Sequence, residues 1–151
     1  NAHPGLIQLN RGRHSAFWSI YNNTNFGCTL HIMNEKFDDG QIIDQIIYKN
    51  DGLCTAETVH HKSNSARLLI IKKNLKKILS NNFLVMSSLK KRGTYYSKKD
   101  ILKKIVLKKT KKIKVSDLFR IIRGTSFDNN GFYINNGKKK YKIVSKITEK
   151  K

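Results

Sequence analysis

The sequence of 151 residues predicts an α/β fold that ends in a short helix and a β-hairpin. Three patterns carry this prediction. Residues 27–33 and 41–48 have the length and composition of strands, and a long helical pattern follows them. Near the end of the chain, an Asn-Gly step separates two further strand patterns. The chain is long enough to form one domain with its own core.

The first elements can be placed from their periodicity. Residues 13–22 favour a short helix because their apolar side chains recur at near-helical spacing. Residues 27–33 alternate between two sets of side chains, which predicts a strand with one buried face. Residues 41–48 are more uniformly apolar and predict a second, more deeply buried strand.

A long helix is predicted after Thr55, whose hydroxyl can cap its first turn. We expect one stripe of this helix to pack in the core and a lysine-rich face to be solvated. The predicted stripe comprises Leu68, Ile71, Leu75, Ile78 and Leu79, and the solvated face comprises Lys72, Lys73, Lys76 and Lys77.

The last third of the chain is polar. Residues 87–114 are rich in lysine and are interpreted as a connector. A short helix from about Ser116 to Arg123 is expected to end at Gly124. The step Asn135-Asn136-Gly137 then predicts a hairpin between its flanking strands.

The first forty residues hold a group of polar side chains suited to catalysis. Asn1 and His3 are two residues apart in a segment that Pro4 and Gly5 keep out of a helix. In an extended segment, residues i and i+2 lie on one face, so both side chains can face one pocket. Asp38 lies in a loop between the two predicted strands, and loops held by rigid strands often carry catalytic groups.

These groups match the requirements of acyl transfer to an amine. The amide of Asn1 can donate to a carbonyl oxygen and stabilise the negative charge that develops there. The imidazole of His3 can stabilise the same oxygen or move a proton near neutral pH. Asp38 would favour the imidazolium form of His3 and help to take the proton from the amine. Asp39 is the competing carboxylate.

The order and spacing of these residues resemble the formyltetrahydrofolate-dependent N-formyltransferase superfamily. Its members begin this region with Asn-x-His-Pro, continue to Arg-Gly, and close it with x-Asp-x-Gly before a buried strand. This chain has Asn1-Ala2-His3-Pro4, then Arg11-Gly12, then Phe37-Asp38-Asp39-Gly40. The resemblance implies the catalytic roles above for Asn1, His3 and Asp38, because Asp38 is two residues before the glycine.

The resemblance also implies a domain organisation. Residues 1–86 would be the C-terminal, catalytic half of a Rossmann-like formyltransferase domain. Residues 87–114 would be the connector, and residues 115–151 a C-terminal helix and β-hairpin extension. Complete members have a further α/β half before the Asn-x-His motif. We expect the chain without that half to be poorly stable and inactive, because sheet edges and apolar faces would be left open.

The formyl donor implied by the resemblance is N10-formyltetrahydrofolate, bound against the loop that bears the aspartate. The implied donor-binding residues are Leu6, Ile7, Met33, Asn34 and Phe37, and the implied acceptor-binding residues are Arg11 and Gly12.

The acceptor amine is less constrained by the sequence. Sugar-nucleotide members often carry His-Pro-Gly, as this chain does at 3–5, whereas methionyl-tRNA members usually have a proline where Gln8 stands. A nucleotide-linked amino sugar is therefore the leading acceptor, with methionyl-tRNA second and glycinamide ribonucleotide third. A non-enzymatic, basic RNA-binding protein is the alternative from a different class.

The net charge of +21 is typical of nucleic-acid-binding proteins, but the positive charge is unevenly distributed along the chain. Residues 1–50 hold four basic and four acidic residues, so the excess lies in residues 51–151. Frequent Lys, Ile and Asn can also reflect an A/T-rich genome. Cys28 and Cys54 predict buried free thiols in a cytoplasmic protein. Neither a metal site nor a membrane partner is expected, because ligand spacing and long apolar runs are missing.

Overall fold

A computed structural model describes residues 1–86 and 93–148 of the chain. Strands and helices alternate irregularly, which confirms the predicted α/β class. In chain order the elements are β1 (Ala2–His3), β2 (Asn10–Gly12), α1 (Ser15–Tyr21), β3 (Phe26–His31), β4 (Ile42–Tyr48), α2 (Ala56–Leu79), β5 (Thr94–Tyr96), α3 (Lys98–Ile105), β6 (Val106–Lys108), α4 (Val115–Thr125), β7 (Phe132–Asn136) and β8 (Lys139–Ile143).

The strands of the described residues form three small sheets. The first has the order β1-β3-β4 with both pairs antiparallel, and it places His3 opposite Thr29. The register between β3 and β4 shifts after Leu30, where the strands approach the loop that bears Asp38. The second sheet pairs β2 with β5 in parallel. In the third, β7 pairs with β6 in parallel and with β8 antiparallel.

Helix α2 packs on the first sheet through a face that the sequence did not predict. Thr55 caps the helix as expected, and its hydroxyl accepts a hydrogen bond of 3.2 Å from the backbone N–H of Thr58. The predicted stripe is wrong, because four of its five residues are exposed and only Ile78 packs against the core. The buried face comprises Val59, Ser63, Ala66, Ile70 and Asn74. Small side chains at 63 and 66 let the helix axis approach the sheet closely.

The predicted connector contains regular structure. Residues 94–108 form β5, α3 and β6, elements that the interpretation as a connector did not include. Its lysines alternate with apolar residues, and Ile101, Ile105 and Leu107 are buried against Phe17 and Trp18. The rest of the predicted connector includes residues 87–92, which lie outside the described residues. The division of the chain into domains stays a prediction.

The predicted end of helix α4 at Gly124 is wrong, because the helix continues through Gly124 to Thr125. Gly124 instead allows α4 to approach α1, since a Cβ atom there would lie 2.7 Å from Cδ2 of Phe17. The predicted hairpin is confirmed as β7 and β8. Gly137 has a φ of +61° in the tight turn between them, a conformation that glycine adopts without strain.

Both cysteines, Cys28 and Cys54, are buried free thiols. Among the described residues, no helix combines the length and the apolar character that crossing a membrane requires. The same residues contain no cluster of ligand side chains arranged to hold a metal ion.

Candidate active site

His3 is held in a fixed orientation at the end of β1. Its residue surface is only 8% exposed, and Nδ1 lies 3.3 Å from Oδ1 of Asp38. The turn behind the ring is tight, because a Cβ atom on Gly5 would lie 2.7 Å from Nε2 of His3. The hydroxyl of Ser15 donates a 2.6 Å hydrogen bond to the carbonyl of Pro4 and ties this turn to α1.

Asp38 reaches His3 from the loop between β3 and β4. Its φ of +49° places it in the left-handed region, which aspartate tolerates better than most residues. One carboxylate oxygen faces His3, and the other accepts a 3.2 Å hydrogen bond from the backbone N–H of Gly12. The structure therefore brings two of the three predicted catalytic residues together.

Backbone hydrogen bonds hold Asn1 beside the same site. Its nitrogen donates to the carbonyl of His31 over 2.8 Å, and its carbonyl accepts from the N–H of His31 over 2.9 Å. The residue is exposed, and strand alternation places it on the same face as His3. Its catalytic role stays a prediction.

Asp39 and Arg11 form an ion pair that stabilises the loop between β3 and β4. Nη1 of Arg11 lies 2.6 Å from Oδ1 of Asp39, whose side chain is almost completely buried. The Nε atom of Arg11 also donates to the carbonyl of Gly93 over 3.1 Å. The guanidinium is thus engaged within the protein. Gly12, the other predicted acceptor-binding residue, contacts Asp38 and lines the cavity described below.

The two central groups have shifted pKa values. Burial lowers the pKa of His3 and outweighs the charge of Asp38, which raises it, while the nearby His31 lowers it further. Burial raises the pKa of Asp38, but the interactions with His31, with His3 and with the N–H of Gly12 together bring it below its usual value. Burial thus favours the neutral form of His3, and the groups around Asp38 favour its ionised form, whereas the sequence analysis expected Asp38 to favour the imidazolium.

In the neutral form of His3, the neighbouring carboxylate of Asp38 determines which ring nitrogen carries the proton. Because Asp38 is an acceptor, the ring proton of neutral His3 lies on Nδ1 and points to the carboxylate. The other nitrogen, Nε2, then carries a lone pair. It is buried without a hydrogen-bond partner among the described residues. An unsatisfied acceptor of this kind is suited to bind or remove a proton from a substrate.

His31 is a buried residue at the site that the sequence analysis missed. It is 2% exposed, its Nδ1 is 3.0 Å from the carbonyl oxygen of Ile32, and its Nε2 is 3.8 Å from Oδ1 of Asp38. A signal was present in the sequence. Thr29 and His31 lie on the same face of a strand that is otherwise apolar, and both are buried.

A cavity of about 550 Å³ opens beside His3. His3 and Gly12 line one part of it, and helices α1, α2, α3 and α4 and the hairpin surround the rest. Besides Phe17 of α1, its lining includes basic side chains and two aromatic rings that the sequence analysis did not select as site residues. They are His14, His60, Lys98, Lys142, Phe127 and Tyr133.

The predicted donor-binding residues divide into two groups. Leu6 and Ile7 are each only 3% exposed and belong to the core. Met33 and Phe37 are 72% and 77% exposed on the loop that bears Asp38. Asn34 shapes that loop, since its side-chain amide donates to the carbonyl of Asp39 over 3.2 Å. Their role in binding a donor stays a prediction.

The fold is similar to that of solved sugar N-formyltransferases. The structure superimposes over all of its length on a sugar N-formyltransferase from Shewanella, with a TM-score of 0.89 and 27% identity. It also superimposes over 88% of its length on WlaRD, a sugar 3N-formyltransferase solved in the presence of dTDP and 5-N-formyl-THF, with a TM-score of 0.72 and 26% identity. No protein-family model matches the chain.

The chain is also similar in sequence to a curated protein. Over 100 residues, or 66% of this chain, it is 29% identical to the bifunctional polymyxin resistance protein ArnA of Wigglesworthia glossinidia brevipalpis. Together these similarities confirm the resemblance to the formyltetrahydrofolate-dependent N-formyltransferase superfamily. The chain spans 62% of the Shewanella enzyme, 51% of WlaRD and 15% of ArnA.

Proposed function

We propose that the full-length protein containing this chain transfers a formyl group from N10-formyltetrahydrofolate to the amine of a nucleotide-linked amino sugar. The observation that carries the proposal is the pair of His3 and Asp38, of which His3 lines a cavity, in a chain similar to sugar N-formyltransferases.

The cavity supports a nucleotide-linked acceptor. Its volume of about 550 Å³ lies within the usual range for small-molecule sites, roughly 300 to 1,000 Å³. A nucleoside diphosphate carries negative charge and a flat base. The ammonium groups of Lys98 and Lys142 can balance the charge, and the rings of Phe127 and Tyr133 can contact the base or the sugar.

The loop that bears Asp38 supports the donor. Met33 and Phe37 expose large apolar side chains next to a buried polar site, and a flat pterin ring could cover both. The donor would supply an activated formyl group at the mouth of the site. The solved relative with dTDP and 5-N-formyl-THF supports the same two ligand classes.

In the proposed reaction the acceptor nitrogen attacks the formyl carbon, and the bond between that carbon and the donor nitrogen breaks. The side-chain amide of Asn1 donates a hydrogen bond to the formyl oxygen as negative charge develops there. Nε2 of His3 receives the amine proton, and Asp38 keeps the ring in the required tautomer. The proton finally moves to the donor nitrogen, which leaves as an amine.

The experiment is a formylation assay of the full-length protein. It is incubated with N10-formyltetrahydrofolate and, separately, with a panel of nucleotide-linked amino sugars and with methionyl-tRNA. The formamide product is measured by mass spectrometry, with the His3→Ala variant as the control. Formylation of an amino-sugar nucleotide supports the proposal. Formylation of methionyl-tRNA alone would contradict it.

A further inference from the structure

Three polar residues form a row across the first sheet, beside the candidate active site. His3 on β1 is paired with Thr29 on β3, and Thr29 is paired with Gln45 on β4. Side chains in such a row project from the same face of the sheet. Thr29 is completely buried, and its hydroxyl donates a 2.8 Å hydrogen bond to the carbonyl of Gly5. The row therefore connects β4 to the turn that packs against the ring of His3.

The partners in this row determine the direction of each hydrogen bond. The carbonyl of Gly5 can only accept, so the single hydroxyl proton of Thr29 points to it. The atom of Gln45 that lies 2.8 Å from the same hydroxyl oxygen must then donate, which identifies it as the amide nitrogen Nε2. The orientation of the Gln45 amide thus follows from a backbone carbonyl two hydrogen bonds away.

Gln8 holds the amide of Gln45 in that orientation. Nε2 of Gln45 donates to Oε1 of Gln8 over 2.7 Å, and Nε2 of Gln8 donates to Oε1 of Gln45 over 3.0 Å. If the amide of Gln45 alone turned over, the pair would place oxygen against oxygen and NH₂ against NH₂. An oxygen of Gln45 would also compete with Gly5 for the proton of Thr29. The amide pair therefore keeps the hydroxyl of Thr29 directed at Gly5.

The backbone of Gly5 lies close to the reactive nitrogen of His3. The N–H of Gly5 donates a 2.8 Å hydrogen bond to the carbonyl of His3, and a Cβ atom on Gly5 would lie 2.7 Å from Nε2 of the ring. A small displacement of Gly5 consequently changes the space around Nε2. This is the nitrogen that receives the amine proton in the proposed reaction.

We propose that Gln8 and Gln45 are positioning residues, which hold Gly5 in place through the hydroxyl of Thr29 and thereby set the position of Nε2 of His3. The inference rests on the proposed function for its catalytic consequence. Gln8 is three residues after Gly5, so the hydrogen bonds start and end on the same short segment. Because members of such a network polarise one another, loss of one member weakens the others.

The position of His3 can be measured without an enzymatic assay. In full-length protein labelled with nitrogen-15 histidine, the ring resonances of His3 report the surroundings of both ring nitrogens, and their loss in His3→Ala assigns them. We expect these resonances to shift in Gln8→Met and in Gln45→Met, which keep a long side chain and remove the amide. Unchanged His3 resonances in both variants would overturn the inference.

Asn74→Met is the matched control for this measurement. Asn74 is a buried amide on α2 that donates a 2.8 Å hydrogen bond to Asp44. Asp44 precedes Gln45 on β4 and projects from the other face of the same sheet. Removal of this amide should lower the Tm and leave the His3 resonances unchanged. Equal shifts in the control and in the glutamine variants would show a general loosening of the sheet and would contradict the inference.

The catalytic consequence is measured as separate effects on kcat and KM. Gln8→Met and Gln45→Met should each lower kcat about three- to tenfold and leave KM nearly unchanged, because the ring is displaced while substrate contacts remain. The double variant should lose no more than the more affected single variant, since both residues act through one hydroxyl. Thr29→Ser keeps that hydroxyl and should retain most of kcat, whereas Thr29→Val should not. In the His3→Ala background, neither glutamine change should lower kcat further.

The two proposals fail in different ways. An unmodified protein that transfers no formyl group contradicts the proposed function, whereas shifted His3 resonances in the glutamine variants would still support the positioning role. An active protein whose glutamine variants keep the unmodified kcat contradicts the positioning role alone. The same holds if the variants lower kcat equally with and without His3. If Gln45→Met does not fold, Gln8→Met at a half-buried position still decides the outcome.

Discussion

Burial affects the pKa of His3 more strongly than the neighbouring carboxylate does. Asp38 alone would favour the imidazolium, but desolvation of the ring has the larger effect and lowers its pKa. In the neutral ring that burial favours, the Nδ1 proton points to Asp38 and Nε2 is available to a substrate. The first two predictions concern the residues that maintain this arrangement.

The first prediction separates the two adjacent aspartates. His3→Ala or Asp38→Asn should lower turnover by about two to four orders of magnitude, because acid–base help and ring orientation are lost. Asp39→Asn removes the partner of Arg11 and should mainly lower the Tm. Turnover and thermal unfolding of the full-length protein check both. A crippling Asp39→Asn with a mild Asp38→Asn would reverse the assignment.

The second prediction concerns Gly5. Gly5→Ala should reduce kcat by about tenfold or more, because the new Cβ would press on Nε2 of His3 and displace the ring. The control is a double-mutant cycle with His3→Ala. If Gly5 acts through the ring, Gly5→Ala should cause little further loss when His3 is absent. Equal losses in both backgrounds would count against this explanation.

The loop between β3 and β4 has two distinct parts. Asp38 and Asp39 point inward to His3 and Arg11, whereas Met33 and Phe37 point to solvent. The two carboxylates are thus engaged within the protein, and the two apolar side chains are left in contact with solvent. Exposed apolar groups cost solubility, and a bound flat ligand would offset that cost.

The third prediction tests this surface. Phe37→Asp should weaken binding of the folate donor at least about tenfold and leave acceptor binding nearly unchanged, because apolar contact is lost on the donor side only. Binding of each ligand is measured separately by calorimetry. Leu68→Asp, an equally exposed change on α2, is the control and should affect neither ligand. Equal loss of both ligands by a folded Phe37→Asp protein would contradict the prediction.

The fourth prediction concerns the contact between helices α1 and α4. Gly124→Ala should reduce the free energy of unfolding by about 1 to 3 kcal/mol, because the added methyl group overlaps the ring of Phe17. Denaturant unfolding measures the change. The exposed Ser116→Ala in the same helix should change stability by less than about 0.5 kcal/mol. A stabilised Gly124→Ala protein would show that helix propensity outweighs the contact.

Positive charge is unevenly distributed over the chain. Residues 1–50 are neutral overall, and the excess of +21 lies in the remainder. The lysines of α2 at 72, 73, 76 and 77 are exposed on one solvated face, and others lie on α3 and the hairpin. They are not interleaved with a row of exposed aromatic rings in the described part of α2, as a stacking platform for single-stranded RNA would require.

The fifth prediction follows from that distribution. Binding of tRNA should be weak, non-selective and nearly lost at physiological salt, because each neutralised phosphate releases counterions. Initiator methionyl-tRNA and an unrelated tRNA are compared at low and at physiological ionic strength. Selective binding of the initiator tRNA that persists at the higher salt would favour methionyl-tRNA as the acceptor.

Features that depend on neighbouring residues were predictable from the sequence. The order of the Asn-x-His, Arg-Gly and Asp-x-Gly motifs identified the superfamily, and Thr55 and Gly137 marked a helix start and a hairpin turn. Capping and tight turns are local because their hydrogen bonds and φ angles involve only a few consecutive residues. The α/β class was also predictable, because the periodicity of apolar residues within each strand or helix is local.

Features that depend on what packs against an element required the tertiary structure. Helix α2 has two possible apolar faces, and only the approach of β3 selects the one with Ser63, Ala66 and Ile70. Gly124 is required by Phe17, more than one hundred positions away. The charge of His3 and the position of His31 arise from burial and from distances across the sheet. Burial and long-range contacts are properties of the folded chain, so periodicity and spacing alone do not determine them.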